Sequence, residues 1–299
     1  MKKIMQRLLV FCIGVPLIVL LVLFLPHFHH IALNIIVVIC TALGALEFAA
    51  MLEKKQLAIP KIEALVLGAL VPAAGTLAVS FNCDENIVRI IFMAGALWVL
   101  LSRIFSRSAG LDTFLNRVAA GFGTLVYPGV FMYWLVKMSA WENAGVIILV
   151  FLLIPIGNDS AAWAAGMLFG KNNRGIVPAS PNKSTAGFVG GILGSIIVST
   201  GAALIVPRFF IPRFDILPSI PPAPPSIPPA LIPAITLGIL TGFAAMLGDL
   251  AESAIKRSAG FKDSGTIMLG RGGMLDSIDS IAVSAPVFYL VFSLLFKQF

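Results

Sequence analysis

The chain has 299 residues, of which 59% are hydrophobic and only 12% charged, and its mean hydropathy is +0.99, which leaves no room for a large soluble domain. Its net charge of +7 comes from 21 Lys and Arg against 14 Asp and Glu, with no separate basic domain to bind nucleic acid. Apolar runs of about 18 residues or more recur, each long enough to cross a hydrocarbon core as a helix, and the short alternating segments of a membrane barrel are absent. The composition predicts an all-α, polytopic integral membrane protein of about nine transmembrane helices.

The N-terminal MKKIMQR leads into an apolar run over 8–25 with no small-residue cleavage site after it, so a retained first span is expected. Further spans are predicted near 31–52, 63–80, 87–102, 117–136, 145–169, 185–206, 234–255 and 278–296. With the N-terminus in the cytoplasm, alternation puts 16 Lys and Arg on the cytoplasmic side and five outside, namely Arg89, Lys137, Arg208, Arg213 and Lys297. That bias obeys the positive-inside rule and reads the net charge as topology and contact with anionic lipid, not as nucleic-acid binding. The expected location is the cell inner (cytoplasmic) membrane.

Cys12, Cys40 and Cys83 are scattered and suggest neither a disulfide framework nor a zinc site. His27, His29 and His30 follow the first run and read as interfacial residues at a helix end. Glu47 and Glu63 lie in or beside early spans, where an ion path and helix packing are equally good accounts. Residues 207–233 hold 10 of the 19 prolines, which favours a stiff polyproline linker outside the membrane. The chain thus divides into N-terminal spans over 1–140 and a region over 141–299 that carries the chemistry.

Charge at membrane depth is costly and usually marks function. In the second region Asp159, Asp249, Glu252, Asp263, Asp276 and Asp279 all fall at span ends or in loops assigned to the cytoplasmic side. Asp249, Glu252, Ser253 and Lys256 recur at i, i+3, i+4 and i+7, which places them on one helix face. Asp276 and Asp279 open the last span, and carboxylates from two helices can share a divalent cation such as Mg²⁺. Between them lie Lys256, Arg257, Lys262 and Arg271 with glycines 270, 272 and 273, residue types that neutralise phosphate and allow its close approach. Upstream, "SPNKST", with Ser180 and Lys183, opens a Gly-rich span in the manner of a phosphate cradle, although the spacing is not that of a P-loop. Together the residues point to a metal-assisted phosphate site.

The run "SAIKRSAGFKDSGTIMLGRGGMLDSIDS" resembles the C-terminal signature of the phosphatidate cytidylyltransferase (CDP-diacylglycerol synthase) family. That pattern reads S-x-x-K-R, four residues, K-D-x-G, a Pro and a His-Gly-Gly, then D-R-x-D. Ser253, Lys256, Arg257, Lys262, Asp263, Gly265, Gly272, Gly273, Asp276 and Asp279 match it in spacing. "GNDSAAWAAGMLFGK" and "SPNKS" are similar to the family's Asp-containing helix and Ser-Pro loop, so the resemblance covers about 145–299. Leu269 stands where the family has Pro, Arg271 where it has His, and Ser277 where it has Arg; Lys183 to Gly187 replace its Lys-Thr-Trp-Glu-Gly.

The resemblance implies transfer of a cytidylyl group from CTP to phosphatidate, giving CDP-diacylglycerol and pyrophosphate. It implies Mg²⁺ held by Asp249 and Asp276 with Asp279 beside them, and Asp159 supporting a second cation or orienting a lysine. Lys256, Arg257, Lys262, Asp263 and Arg271 would serve the reacting phosphates. Lys183, Ser180, Ser253, Gly272 and Gly273 would cradle the nucleotide. CTP would enter from the cytosol, phosphatidate from the surrounding membrane lipids, and the enzyme would be a homodimer. The alternatives are another CTP-dependent lipid enzyme of the polyprenol kinase type, a membrane ion or phosphate transporter, and an inactive paralogue.

Overall fold

The computed structural model describes residues 2–104, 113–213, 228–268 and 272–297. They form an all-α bundle: α1 (Lys2–Phe24), α2 (His27–Glu53), α3 (Lys61–Ser80), α4 (Asn86–Ile104), α5 (Phe114–Thr124), a π-helical turn (Leu125–Val130), α6 (Phe131–Met138), α7 (Ala144–Phe169), α8 (Thr185–Ile205), α9 (Leu231–Ala259) and α10 (Leu275–Leu295). Seven stretches are long and apolar enough to cross a membrane, with α5, the π turn and α6 acting as one span, Phe114–Met138. The first and fourth expected spans correspond to shorter apolar helices, Cys12–Phe24 and Asn86–Ser102. The π turn sits at Pro128, which lacks the amide hydrogen that a regular α-helix needs there.

Lipid offers no hydrophobic drive for helices to associate, so close packing of small residues and hydrogen bonds must do it. Gly157, Ala161 and Ala165 of α7 meet Gly190 and Gly194 of α8. Gly238 of α9 lies on the backbone of Ser195 and Ile196, and Gly242 lies on Ser195 and Asn158. Both Gly-x-x-x-Gly patterns therefore pack helices within this chain. The buried Asn158 Nδ2 donates to Ser195 Oγ at 2.9 Å, and Ser199 Oγ donates to the Ala234 carbonyl at 2.7 Å, tying α7, α8 and α9 together.

At the end of the bundle away from the charged loops, Phe288 and Phe292 of α10 and Phe296 just after it form a ladder that stacks on Trp141, tilts against Phe151 and takes the edge contact of Phe210. The start of the proline-rich segment is anchored here: Arg213 N–H donates to the Leu295 carbonyl at 2.9 Å and Lys297 N–H to Ile211 at 2.8 Å. The rest of the expected linker, 214–227, lies outside the described residues.

The crossing of α9 and α10 brings the acidic residues of the two helices side by side. A β-carbon on Gly248 would lie 2.5 Å from the Asp279 carbonyl oxygen and 3.1 Å from Ser280 Cα, backbone that has nowhere to move. Gly201 on α8 has open space. Gly248→Ala is expected to destabilise the protein by about 1–3 kcal/mol, as overpacking does, and Gly201→Ala to be neutral or stabilising by roughly 0.5–1 kcal/mol; thermal unfolding in detergent reads both.

Candidate active site

The four residues expected on one face of α9 do share it. Ser253 Oγ lies 3.5 Å from Asp249 Oδ1, and Lys256 Nζ lies 2.5 Å from Glu252 Oε2 one turn away. Lys256 also pairs with Asp276 Oδ1 at the start of α10. Glu252 is fully buried, so this lysine sits between two carboxylates with little water to screen them. Asp276 Oδ2 accepts the Ser264 and Gly273 amides at 2.8 and 2.7 Å and lies 2.9 Å from Ser264 Oγ. Both oxygens of Asp276 are thereby engaged by protein donors, which closes the loop between α9 and α10.

Glu47 completes that closure from the other half of the chain. It is buried on α2 and accepts the N–H groups of Met274 and Leu275, both at 2.9 Å, and lies 2.9 Å from the Ser264 hydroxyl. The first amides of a helix have no partner within it, and a carboxylate both satisfies them and complements the positive end of the helix dipole.

A second cluster surrounds a cavity of about 410 Å³ between α7, the 170–184 loop, α8 and α9. Asp159, Asp249, Lys183, Arg174 and Asn182 supply its polar wall. Trp163 and Met167, 68% and 58% exposed, supply an apolar one that reaches the outer face of the bundle. Lys183 Nζ lies 2.5 Å from Asp249 Oδ2 and 6.0 Å from the Phe188 ring centroid. Ser184 caps α8 by accepting the Gly187 amide at 3.0 Å, and both residues line the cavity, so the positive end of α8 faces it. The buried Asn158 Oδ1 at its margin has no hydrogen-bond partner.

The sequence-predicted residues fall into three groups. Asp159, Lys183 and Asp249 meet in the cavity, with Ser253 against Asp249. Lys256, Asp276 and Gly273 meet in the loop closure. The buried Asp279 lies at the α9–α10 crossing between the two, its carbonyl packed on Gly248 beside Asp249. Lys262 and Asp263 are exposed on the loop, and Arg257, exposed in the last turn of α9, reaches the Phe261 carbonyl with its guanidinium at 3.4 Å. Gly272 pairs with Met268 across that loop, with a φ of 112° that suits glycine. Ser180 is not among the cavity residues; its carbonyl accepts the Lys183 amide at 3.1 Å. Gly270 and Arg271 lie outside the described residues.

Sequence reasoning left Glu47 undecided and assigned no role to Ser264 or Asn158. A carboxylate within an apolar helix is the signal that pointed to Glu47. The others carry no comparable signal, because Ser and Asn recur in membrane helices for packing alone.

The sequence profile of the cytidylyltransferase family matches residues 5–295, which extends the likeness across the first half, beyond the 145–299 expected from the motifs. Uncharacterized protein YnbB of Escherichia coli is 32% identical over 219 residues, 71% of this chain and 65% of that one. The phosphatidate cytidylyltransferases of Mycobacterium tuberculosis and Bacillus subtilis are 30% and 31% identical over 61% and 58% of this chain. The matched segments cover 49% and 58% of those two proteins, so the chain spans about half to two thirds of the length of the relatives it matches. A profile match over nearly the whole chain, on a bundle that gathers the signature's carboxylates and lysines at one end, settles the kinship: the chain belongs to the cytidylyltransferase family.

Proposed function

We propose that the protein transfers a cytidylyl group from CTP to phosphatidate, giving CDP-diacylglycerol and pyrophosphate, in phospholipid biosynthesis. The observation that carries this reading is the cavity in which Asp159, Asp249, Lys183 and Arg174 meet the exposed Trp163 and Met167. A nucleotide needs the first set, and the acyl chains of a membrane lipid need the second. Family membership and the names of the curated relatives support the same reading. The expected excess of Lys and Arg on the cytoplasmic side, 16 against five, supports a site that opens to the side of the inner membrane where CTP is found. The homodimer implied by the family resemblance belongs to this reading.

In the reaction an oxygen of the phosphatidate phosphate attacks the α-phosphorus of CTP. The new P–O bond forms as the bond from that phosphorus to the β-phosphate's bridging oxygen breaks, and pyrophosphate leaves with the electron pair. A phosphate monoester arrives already ionised, so no side chain has to remove a proton, and catalysis is a matter of positioning and charge neutralisation. Lys183, Arg174 and the N-terminus of α8 neutralise the polyphosphate. Trp163 and Met167 guide the lipid in from the side.

The residues fit Mg²⁺. Among the described residues no three His, Cys, Asp or Glu form a ready cage. That suits an ion usually bound by one or two carboxylates together with substrate phosphates. Asp249 and Asp279, on the two helices that cross at Gly248, would hold it, with Asp159 in the same cavity serving a second cation and the unpartnered Asn158 Oδ1 at its margin. The ion would supply Lewis-acid polarisation and charge compensation at the triphosphate. Asp276, expected from the sequence as a further ligand, is assigned instead to the loop, because Lys256, Ser264 and Gly273 already occupy both its oxygens.

The test is purified protein in detergent with phosphatidate, Mg²⁺ and CTP labelled in the cytosine, following label into the lipid phase. Label is expected in lipid, lost on chelation and restored by Mg²⁺; folded, Mg²⁺-saturated protein that moves no label refutes the reading. Asp249→Asn should lower kcat by about 10²–10³-fold or more, while changing stability by only about 0–1 kcal/mol because its pair with Lys183 is partly solvated. Lys256→Met should do the reverse, destabilising by about 3–5 kcal/mol by leaving Glu252 and Asp276 buried without a cation. Adding Glu252→Gln and Asp276→Asn should recover much of that loss in a thermal melt.

A further inference from the structure

We infer that Glu47, on the second helix and far from the signature in sequence, is a positioning residue for the catalytic loop and for Asp279. One carboxylate grips both ends of the segment between α9 and α10: Ser264 at its start, and the amides of Met274 and Leu275 at its end. The Ser264 hydroxyl has one proton and stands 2.9 Å from both Glu47 Oε2 and Asp276 Oδ2, while its own oxygen accepts the Asp276 amide at 3.2 Å. Glu47, Ser264, Asp276 and Lys256 therefore form one connected network from α2 through the loop to α9.

The glycines of the signature report the same arrangement. A β-carbon on Gly273 would collide with Ser264 Oγ and Glu47 Oε2, and one on Gly265 with Glu47 Oε1. At these two positions Glu47, joined at Gly273 by Ser264, leaves no space for a side chain. No cation faces Glu47 at hydrogen-bond distance among the described residues; its buried charge is satisfied by the two loop amides and the shared hydroxyl. A buried carboxylate satisfied in that way fixes the height and rotation of the helix whose first amides it holds. Asp279 stands one turn further along α10, and its carbonyl packs on Gly248, the neighbour of Asp249 on α9. The separation of those two carboxylates thus depends on Glu47. What the loop accomplishes rests on the cytidylyltransferase reading; the grip on it does not.

Wild-type protein, Glu47→Gln and Ser264→Ala, each full-length in detergent, decide the matter by two readouts. Gln keeps the length of Glu but replaces an acceptor oxygen by an NH₂ that faces other donors. In Glu47→Gln, kcat for cytidylyl transfer is expected to fall about 100-fold, the scale of a small misplacement of reacting groups, with the KM for CTP within about threefold of wild type. Amide exchange at 274 and 275 should quicken about tenfold while α7 and α8 keep their protection. Retained kcat, a loss carried by KM alone, or unchanged exchange overturns the inference. If the wild type moves no cytidylyl group, the functional reading fails by itself, and the exchange readout alone decides the grip: faster supports it, unchanged overturns it. Should Glu47→Gln not fold, Ser264→Ala decides by the same criteria, with a fall in kcat of about tenfold.

Discussion

An ionised group at the end of an apolar bundle persists only if other groups compensate it, and the arrangement of this protein follows from that requirement. Lys256 is the centre. Its ammonium stands between the fully buried Glu252 and Asp276, so α9 and α10 cannot slide past each other without uncovering a charge. From this pair the compensation spreads in two directions. Through Asp276 and Ser264 it reaches Glu47 on α2. Along the same face of α9 it reaches Asp249, which stands beside the Gly248–Asp279 crossing and pairs with Lys183 at the cavity. The residues that carry chemistry and those that hold the bundle end together are members of one charge network.

The backbone is arranged to serve that network. Small residues on α7, α8 and α9 bring the helices close enough for Asn158 to bond across to Ser195, and this sets the walls between which Asp159 and Asp249 stand. The aromatic ladder on α10 locks the far end, so the polar end inherits a fixed frame. Phosphoryl-type chemistry rewards such rigidity, since little covalent participation is asked of the protein and most of the rate comes from where charges are held.

Much of this was legible in the sequence. Hydropathy located the apolar stretches, though not the division of the fifth into α5 and α6, and the i, i+3, i+4, i+7 spacing alone put Asp249, Glu252, Ser253 and Lys256 on a shared face. What spacing cannot supply is the partner of a long-range contact. Glu47 and Leu275 are 228 positions apart, and nothing local to either announces the other. For the same reason nothing in the sequence around Gly273 shows that the Ser264 and Glu47 side chains crowd it. Asp276 could be identified as essential to the site, yet its oxygens could not be assigned, because a carboxylate that holds a cation and one that holds a loop look alike in sequence. The π turn at Pro128 was hidden too, since a proline within an apolar run signals a disturbance without saying which geometry absorbs it.

The departures from the family signature gain meaning from the same network. Where the family carries an arginine, Ser277 turns its hydroxyl back to the Gly273 carbonyl at 3.2 Å and contributes no charge. Lys256 is already committed to two carboxylates, Arg257 reaches the Phe261 carbonyl, and Lys262 is exposed on the loop. Among the described residues, the cations that line the cavity are therefore Arg174 and Lys183, and Lys183 is paired with Asp249. That pair is suited to exchange partners. A triphosphate offers the lysine a more highly charged anion than one carboxylate does, and the carboxylate released is a ligand of the kind a hard divalent cation seeks. On this reading nucleotide and cation each relieve the charge that the other's arrival uncovers, so the two bind with mutual reinforcement and neither charge is left unpaired in the wall of the bundle.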